Sequence, residues 1–197
     1  MSESKLRQRQ QHTSDDLGRF FKNWIQNPTA IGAVAPSGRL LAKLMATGLR
    51  PGARVIELGA GTGTVTQAIL DTGVRAEDLF AVEQNAQFLK ILARRFPECP
   101  LVAADALSLV EHVPGPGTFD FVISGLPLLF FSLAQKQRLL EQVFEMLAPN
   151  GALHQFTYAL RCPVERGLRS RLELRSSLLG IAPFNLPPAF VYRLSRS

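Results

Sequence analysis

Apolar positions first repeat at helical spacing. Leu17, Phe20, Phe21, Trp24 and Ile25 stand at i, i+3, i+4, i+7 and i+8, one stripe of a helix over residues 14–26 that ends before Pro28. A second helix, capped by Ser37, carries Leu40, Leu41, Leu44 and Met45 on its buried side and stops at Gly48. Thereafter short continuous apolar runs alternate with helical stripes. Residues 54–58, 79–82, 101–104, 119–123 and 152–158 read as buried strands. Residues 65–70, 85–96 and a Ser132-capped segment running to 147 read as the intervening helices. After an Arg-rich connector at 161–171, two more strands, near 172–178 and 189–194, flank a Pro-rich turn at 183–188. Strand–helix alternation followed by a terminal hairpin predicts an α/β fold with a mostly parallel sheet and an antiparallel pair at its end. The boundaries divide the chain into a basic, amphipathic N-terminal segment, 1–30, and one domain, 31–197.

Composition narrows this little: with 197 residues, 46% of them hydrophobic, the chain has the length and apolar content for one sizeable core. Cys99 and Cys162 form no metal-type spacing, so no metal is expected, and two isolated thiols suit a reducing compartment. No basic segment followed by an apolar run opens the sequence, and the richest apolar stretch, 119–133, is broken by Asp120, Gly125 and Pro127. A cytoplasmic, non-spanning protein is expected. Charge changes the picture more. Residues 161–197 hold seven arginines against two acids, and residues 1–25 five basic residues against three acids, whereas the middle is close to neutral. Basic ends on a neutral domain point to a phosphate-bearing partner, either nucleic acid or an anionic membrane. The first helix, with Trp24 and two Phe on one face and Arg19 and Lys22 elsewhere, fits packing on the domain or lying in a bilayer surface.

Candidate chemistry is concentrated in the loop after the first strand, Glu57-Leu-Gly59-Ala60-Gly61-Thr-Gly63. Glycines there allow a tight turn whose backbone approaches a ligand closely. The nicotinamide spacing Gly-x-Gly-x-x-Gly would require glycine at 64, where Thr64 stands. Glu83 ends the second strand, where a carboxylate is placed to accept ribose hydroxyls, and Asp105 ends the third. This order of residues resembles class I S-adenosylmethionine (SAM) methyltransferases. The resemblance implies a Rossmann-like, seven-stranded fold that binds SAM and releases S-adenosylhomocysteine. It also implies a cofactor site of Ser37, Glu57, Gly59, Ala60, Gly61, Gly63, Glu83, Gln84, Asp105, Ala106 and Ser124, with Asp105 and Ala106 at the adenine edge.

The loop after the fourth strand, Ser124-Gly125-Leu126-Pro127-Leu128, bears on the methyl acceptor. DNA and rRNA adenine methyltransferases carry Asn or Asp and an aromatic at the positions of Gly125 and Leu128, so both handles on a base are missing here. Leu128-Leu-Phe-Phe131 is apolar enough to line an acyl-chain pocket or simply to fill a core turn. Together with Phe20-Phe-x-x-Trp24, Gly32-Ala-Val-Ala-Pro-Ser37, Gln155-Phe-Thr-Tyr158 and Asn185-Leu-Pro-Pro188, these segments are similar to bacterial phospholipid N-methyltransferases of the soluble type. That resemblance implies stepwise methylation of phosphatidylethanolamine towards phosphatidylcholine by a peripheral membrane enzyme. Its partners would be a phospholipid and an anionic inner-membrane surface, without nucleic acid; an adenine or small-molecule amine methyltransferase is the alternative. Tyr158 and His154 are the catalytic candidates for steering the amine proton, although a mid-strand histidine is also an ordinary core residue. Phe20, Trp24, Gly125, Leu126, Pro127 and Arg161 are the expected substrate contacts, with Arg166 and Arg169 as further partners for a lipid phosphate.

Overall fold

In the computed structural model, which describes residues 36–185 and 187–197, the apolar runs become strands of a single sheet. The strands are β1 (Val55–Leu58), β2 (Leu79–Glu83), β3 (Leu101–Ala103), β4 (Phe119–Ser124), β5 (Leu147–Thr157), β6 (Leu174–Ala182) and β7 (Ala189–Arg196). Their spatial order is β3-β2-β1-β4-β5-β7-β6. The first five run parallel and β7 is antiparallel to both β5 and β6, as expected for the class I methyltransferase fold. Strand order reverses between β1 and β4, and in open α/β sheets that reversal leaves a crevice at the carboxyl ends of the strands.

Among the described residues, six helices lie on the sheet: α1 (Pro36–Met45), α2 (Thr64–Leu70), α3 (Ala86–Arg95), α4 (Leu109–His112), α5 (Leu133–Met146) and α6 (Arg166–Arg171). Alternation along each strand sends successive side chains to opposite faces. Ile56, Leu58, Val82, Val122 and Leu153 therefore join Leu139, Leu140 and Val143 of α5 in one core layer. On the opposite face Glu57 meets Thr66 of α2, and His154 meets the end of α1. Caps explain several boundaries. Ser132 and Gln135 form a reciprocal capping box at α5 (Gln135 N–H to Ser132 Oγ 3.2 Å, Ser132 N–H to Gln135 Oε1 2.9 Å). Asn85 accepts from the amides of Gln87 and Phe88 and starts α3.

The structure corrects some expected boundaries. β5 begins at Leu147, pairing with Phe119, and a register shift absorbs the turn expected at 149–151. Part of the Arg-rich connector is the short helix α6. β6 runs on to Ala182, with a second register shift between Leu178 and Gly180. α1 starts at Pro36, so Ser37 falls inside its first turn rather than before it, and proline suits that first helical position. Leu40, expected in the buried stripe of α1, is exposed, because the helix turns Ala42, Met45 and Ala46 inward instead. The expected helix at 14–26, with Phe20 and Trp24, lies outside the described residues.

Candidate active site

The glycine loop leaves β1 at the carboxyl edge of the sheet. Gly59, Gly61 and Gly63 all have positive φ (73°, 56° and 85°), a conformation that favours glycine at each position. A Cβ on Gly63 would lie 2.3 Å from the Phe96 ring, so that residue also lets the loop close onto α3. The loop is tied to β2 by Gly59 N–H and Ala60 N–H, both donating to Val82 O (2.9 and 3.3 Å). Glu83 completes the cradle. One carboxylate oxygen accepts from Gly61 N–H at 2.9 Å and the other from Asn85 N–H at 2.8 Å. Each oxygen retains capacity for another donor, so the side chain is fixed in place yet able to receive a ligand's hydroxyls. Gln84, beside it, is exposed.

Glu57 is a different kind of acid. Only 2% exposed, it receives the Thr66 hydroxyl on Oε2 at 2.6 Å. Burial, reinforced by the neighbouring charge of Glu83 and opposed by the Thr66 hydrogen bonds, pushes its pKa up to about 7. Glu57 is therefore a buried carboxyl tied to α2 through Thr66. Asp105 is exposed after β3, where its carboxylate accepts from Leu107 N–H (2.9 Å) and orders the turn that holds buried Ala106.

The β4 loop closes over the glycine loop. Gly125 N–H donates to Leu58 O at 2.8 Å, and a Cβ on Gly125 would stand 3.0 Å from Gly59 O and 3.3 Å from Leu58 O. A side chain here would press on main chain. Ser124 is wholly buried, and its Oγ accepts from Leu126 N–H (3.3 Å). Leu128 is also buried, while Leu129 and Phe130 are exposed. The loop thus turns one apolar residue into the core and two outwards.

The two catalytic candidates separate. His154 is 1% exposed, and its ring packs edge-on against Phe121, 5.4 Å between centroids. Its Nδ1 lies 2.8 Å from Met45 O, which only accepts, so this nitrogen carries the proton. Burial lowers its pKa. The side chain is a neutral core histidine joining β5 to α1, which corrects its candidacy as a proton relay. Four residues on, roughly 13 Å along an extended strand, Tyr158 lies past the carboxyl end of β5. It is partly buried, packs edge-on against Phe156 (5.5 Å) and is hydrogen-bonded to Asn185 in the β6–β7 turn. Burial raises its pKa. Among the arginines, Arg161 and Arg166 are exposed. Arg169 instead donates to Val164 O and Ser176 Oγ, which holds it in the fold rather than leaving it for a lipid phosphate.

Two residues quoted only as parts of motifs in the sequence carry unpaired polar atoms at this end of the sheet. Gln155, wholly buried in β5 beside Ser124, donates through Nε2 to Leu126 O and Phe156 O, each at 2.8 Å. Its Oε1 is buried with no protein partner, and so is Oδ1 of Asn185. An unsatisfied buried acceptor costs roughly 1–3 kcal/mol. The available signal was a polar residue inside an otherwise apolar strand, which sequence alone does not separate from an exposed position.

Residues 55–151 match the family model of a methyltransferase domain. The ornithine lipid N-methyltransferase of Singulisphaera acidiphila is 32% identical over 183 residues, which cover 89% of this chain and 92% of that one. The ribosomal RNA small subunit methyltransferase A of Caulobacter vibrioides is 40% identical over 93 residues, 45% of this chain and 34% of the relative. Among solved structures, the Burkholderia thailandensis 1,6-didemethyltoxoflavin-N1-methyltransferase, with bound S-adenosylhomocysteine, superposes with a TM-score of 0.63 at 17% identity. That superposition covers 95% of this chain and 90% of the other.

Proposed function

This chain belongs to the class I SAM-dependent methyltransferases, and from that premise we propose that it methylates the amine of a membrane lipid, phosphatidylethanolamine, towards phosphatidylcholine. The observation that carries the lipid reading is the near full-length similarity to the ornithine lipid enzyme, against matches over 45–55% of the chain to ribosomal RNA small subunit methyltransferases A. Ornithine lipid is accordingly the second acceptor to test.

The residues present fit the cofactor. Glycines at positive φ bring bare backbone to the crevice, and Glu83 offers two anchored acceptor oxygens beside it. Bound SAM supplies an electrophilic methyl group on a sulfonium sulfur. The protein's own part is to present a neutral amine in line with that methyl, and alignment of this kind supplies much of the acceleration without a covalent residue. A side chain at Gly125, the position of the handle that adenine enzymes place on a base, would press on the main chain at Gly59 O and Leu58 O. Tyr158 offers an aromatic face and a hydroxyl to an amine that becomes permanently charged when fully methylated. Leu129, Phe130, Leu160 and Phe184 are 39%, 41%, 73% and 77% exposed on loops at the carboxyl edge of the sheet, and Arg161 is exposed beside Leu160. This edge suits approach to an anionic bilayer.

The test is methyl transfer from labelled SAM to vesicles containing phosphatidylethanolamine, ornithine lipid or phosphatidylcholine alone, with ribosomal RNA in parallel. Labelled lipid from the phosphatidylethanolamine vesicles and bare RNA is the expected result. Labelled RNA with silent vesicles overturns the reading, and label confined to ornithine lipid reassigns the acceptor.

A further inference from the structure

Gln155 is held in one orientation. Both neighbours of its amide nitrogen, Leu126 O and Phe156 O, are carbonyls, so exchanging Nε2 and Oε1 would set oxygen against oxygen twice. Its Oε1 is consequently a fixed, buried acceptor without a protein donor. Asn185 supplies another in the orientation in which its Nδ2 donates to the Tyr158 hydroxyl. Its side chain bonds Tyr158, its Oδ1 is buried without a partner, and the residue itself is 9% exposed. Gln155 lies two residues from the carboxyl end of β5, and Tyr158 is the first residue beyond that end. Gln155 also grips Leu126 of the β4 loop, which closes on Gly59. Two orphan acceptors therefore belong to the segments around the end of β5, the edge where the acceptor amine must arrive.

We propose that Gln155 Oε1 and Asn185 Oδ1 accept hydrogen bonds from the N–H groups of the methyl acceptor, so that the protein senses how many methyl groups the amine already carries. This rests on the amine-lipid reading above and deepens it. In each round the bound ammonium first gives one N–H proton to water, and the freed lone pair then forms an N–CH3 bond as the S–CH3 bond breaks and the thioether departs. A protonated primary amine brings three N–H donors, its monomethyl and dimethyl forms two and one, and the trimethyl product none. Two acceptors are satisfied by the first two forms, half satisfied by the third and left empty by the last. Grip therefore weakens along the series, and the fully methylated product is released for want of a donor.

The test measures binding of short-chain phosphatidylethanolamine and its mono-, di- and trimethyl derivatives by calorimetry, with S-adenosylhomocysteine present. The wild-type chain is expected to bind the first two alike and to lose about tenfold in affinity for each acceptor left unfilled, as for one buried hydrogen bond. With one acceptor left, Asn185→Leu and Gln155→Met should each bind the dimethyl form as well as the first two and keep only the tenfold step to the trimethyl form, while Asn185→Asp, which keeps an acceptor, retains both steps. Cofactor affinity, measured alone, should stay at the wild-type value in the Asn185 variants, which leaves a valid readout if Gln155→Met folds poorly. Weaker binding of the dimethyl form than of the first two that persists in Asn185→Leu overturns the proposal. So does a loss of cofactor affinity in that variant, which would place the acceptor on the cofactor instead. Wild-type protein that binds none of the four lipids refutes the amine-lipid reading itself, whereas equal binding of all four refutes only the sensing role.

Discussion

Glu57 and Glu83 stand 26 residues apart and end in opposite electrostatic situations. Two main-chain donors keep Glu83 in reach of a ligand, whereas Glu57 is buried with a pKa pushed to about 7, above its ordinary 4.5. Below pH 4.5 the carboxyl is protonated folded or unfolded and contributes nothing to the pH dependence. Between 4.5 and 7 the folded state retains a proton that the unfolded chain has lost, so stability falls as pH rises and the full penalty is present above 7. The penalty is at most about 3 kcal/mol. Denaturant unfolding across this range should show that decline, and Glu57→Gln should flatten it. At Glu83 the expected change is in binding. Glu83→Ala should weaken SAM by about 1–3 kcal/mol in calorimetry, the scale of a lost charged hydrogen bond, and wild-type affinity would remove the residue from the cofactor site. Both acids were legible in the sequence as strand-end or loop-edge carboxylates. Their division of labour was not, because it depends on Thr66 reaching Glu57 from a helix on one face of the sheet. His154 illustrates the same gap: its carbonyl partner, Met45, is 109 residues away in the chain.

Among the elements, the strand and helix stripes carried most of the fold, since burial on both faces of a parallel sheet writes continuous apolar runs into the sequence. What the pattern missed was decided by pairing partners. β5 begins five residues early because Phe119 offers Leu147 a ladder partner, and Leu40 faces outwards because α1 is seated through Ala42 and Met45. The β4 loop gives a sharper lesson. Gly125 reads in sequence as the loss of an asparagine, and the structure supplies a steric reason for glycine, with Gly59 O and Leu58 O where a side chain would go. Gly125→Asn should therefore fail to create adenine methylation. It should instead lower stability by about 1–3 kcal/mol, the usual cost of overpacking, which thermal or denaturant unfolding would register. Adenine methylation by this variant would contradict the steric account.

For the whole molecule, the SAM cradle, the β4 loop, Tyr158 and the exposed apolar side chains of Leu129, Phe130, Leu160 and Phe184 all belong to one edge of the sheet. In the function proposed above, that arrangement would let one domain hold a water-soluble methyl donor while meeting an amine at a bilayer surface. Seven arginines among residues 161–197 favour anionic lipid, so transfer to vesicles should rise with anionic lipid content and fall as salt screens the surface. The measurement that tests the central claim most directly is mass spectrometry of the lipid extract after incubation with SAM and phosphatidylethanolamine vesicles, with S-adenosylhomocysteine quantified alongside. The account predicts phosphatidylethanolamine gaining whole methyl increments, in step with the S-adenosylhomocysteine formed. S-adenosylhomocysteine that accumulates while phosphatidylethanolamine keeps its original mass would contradict it.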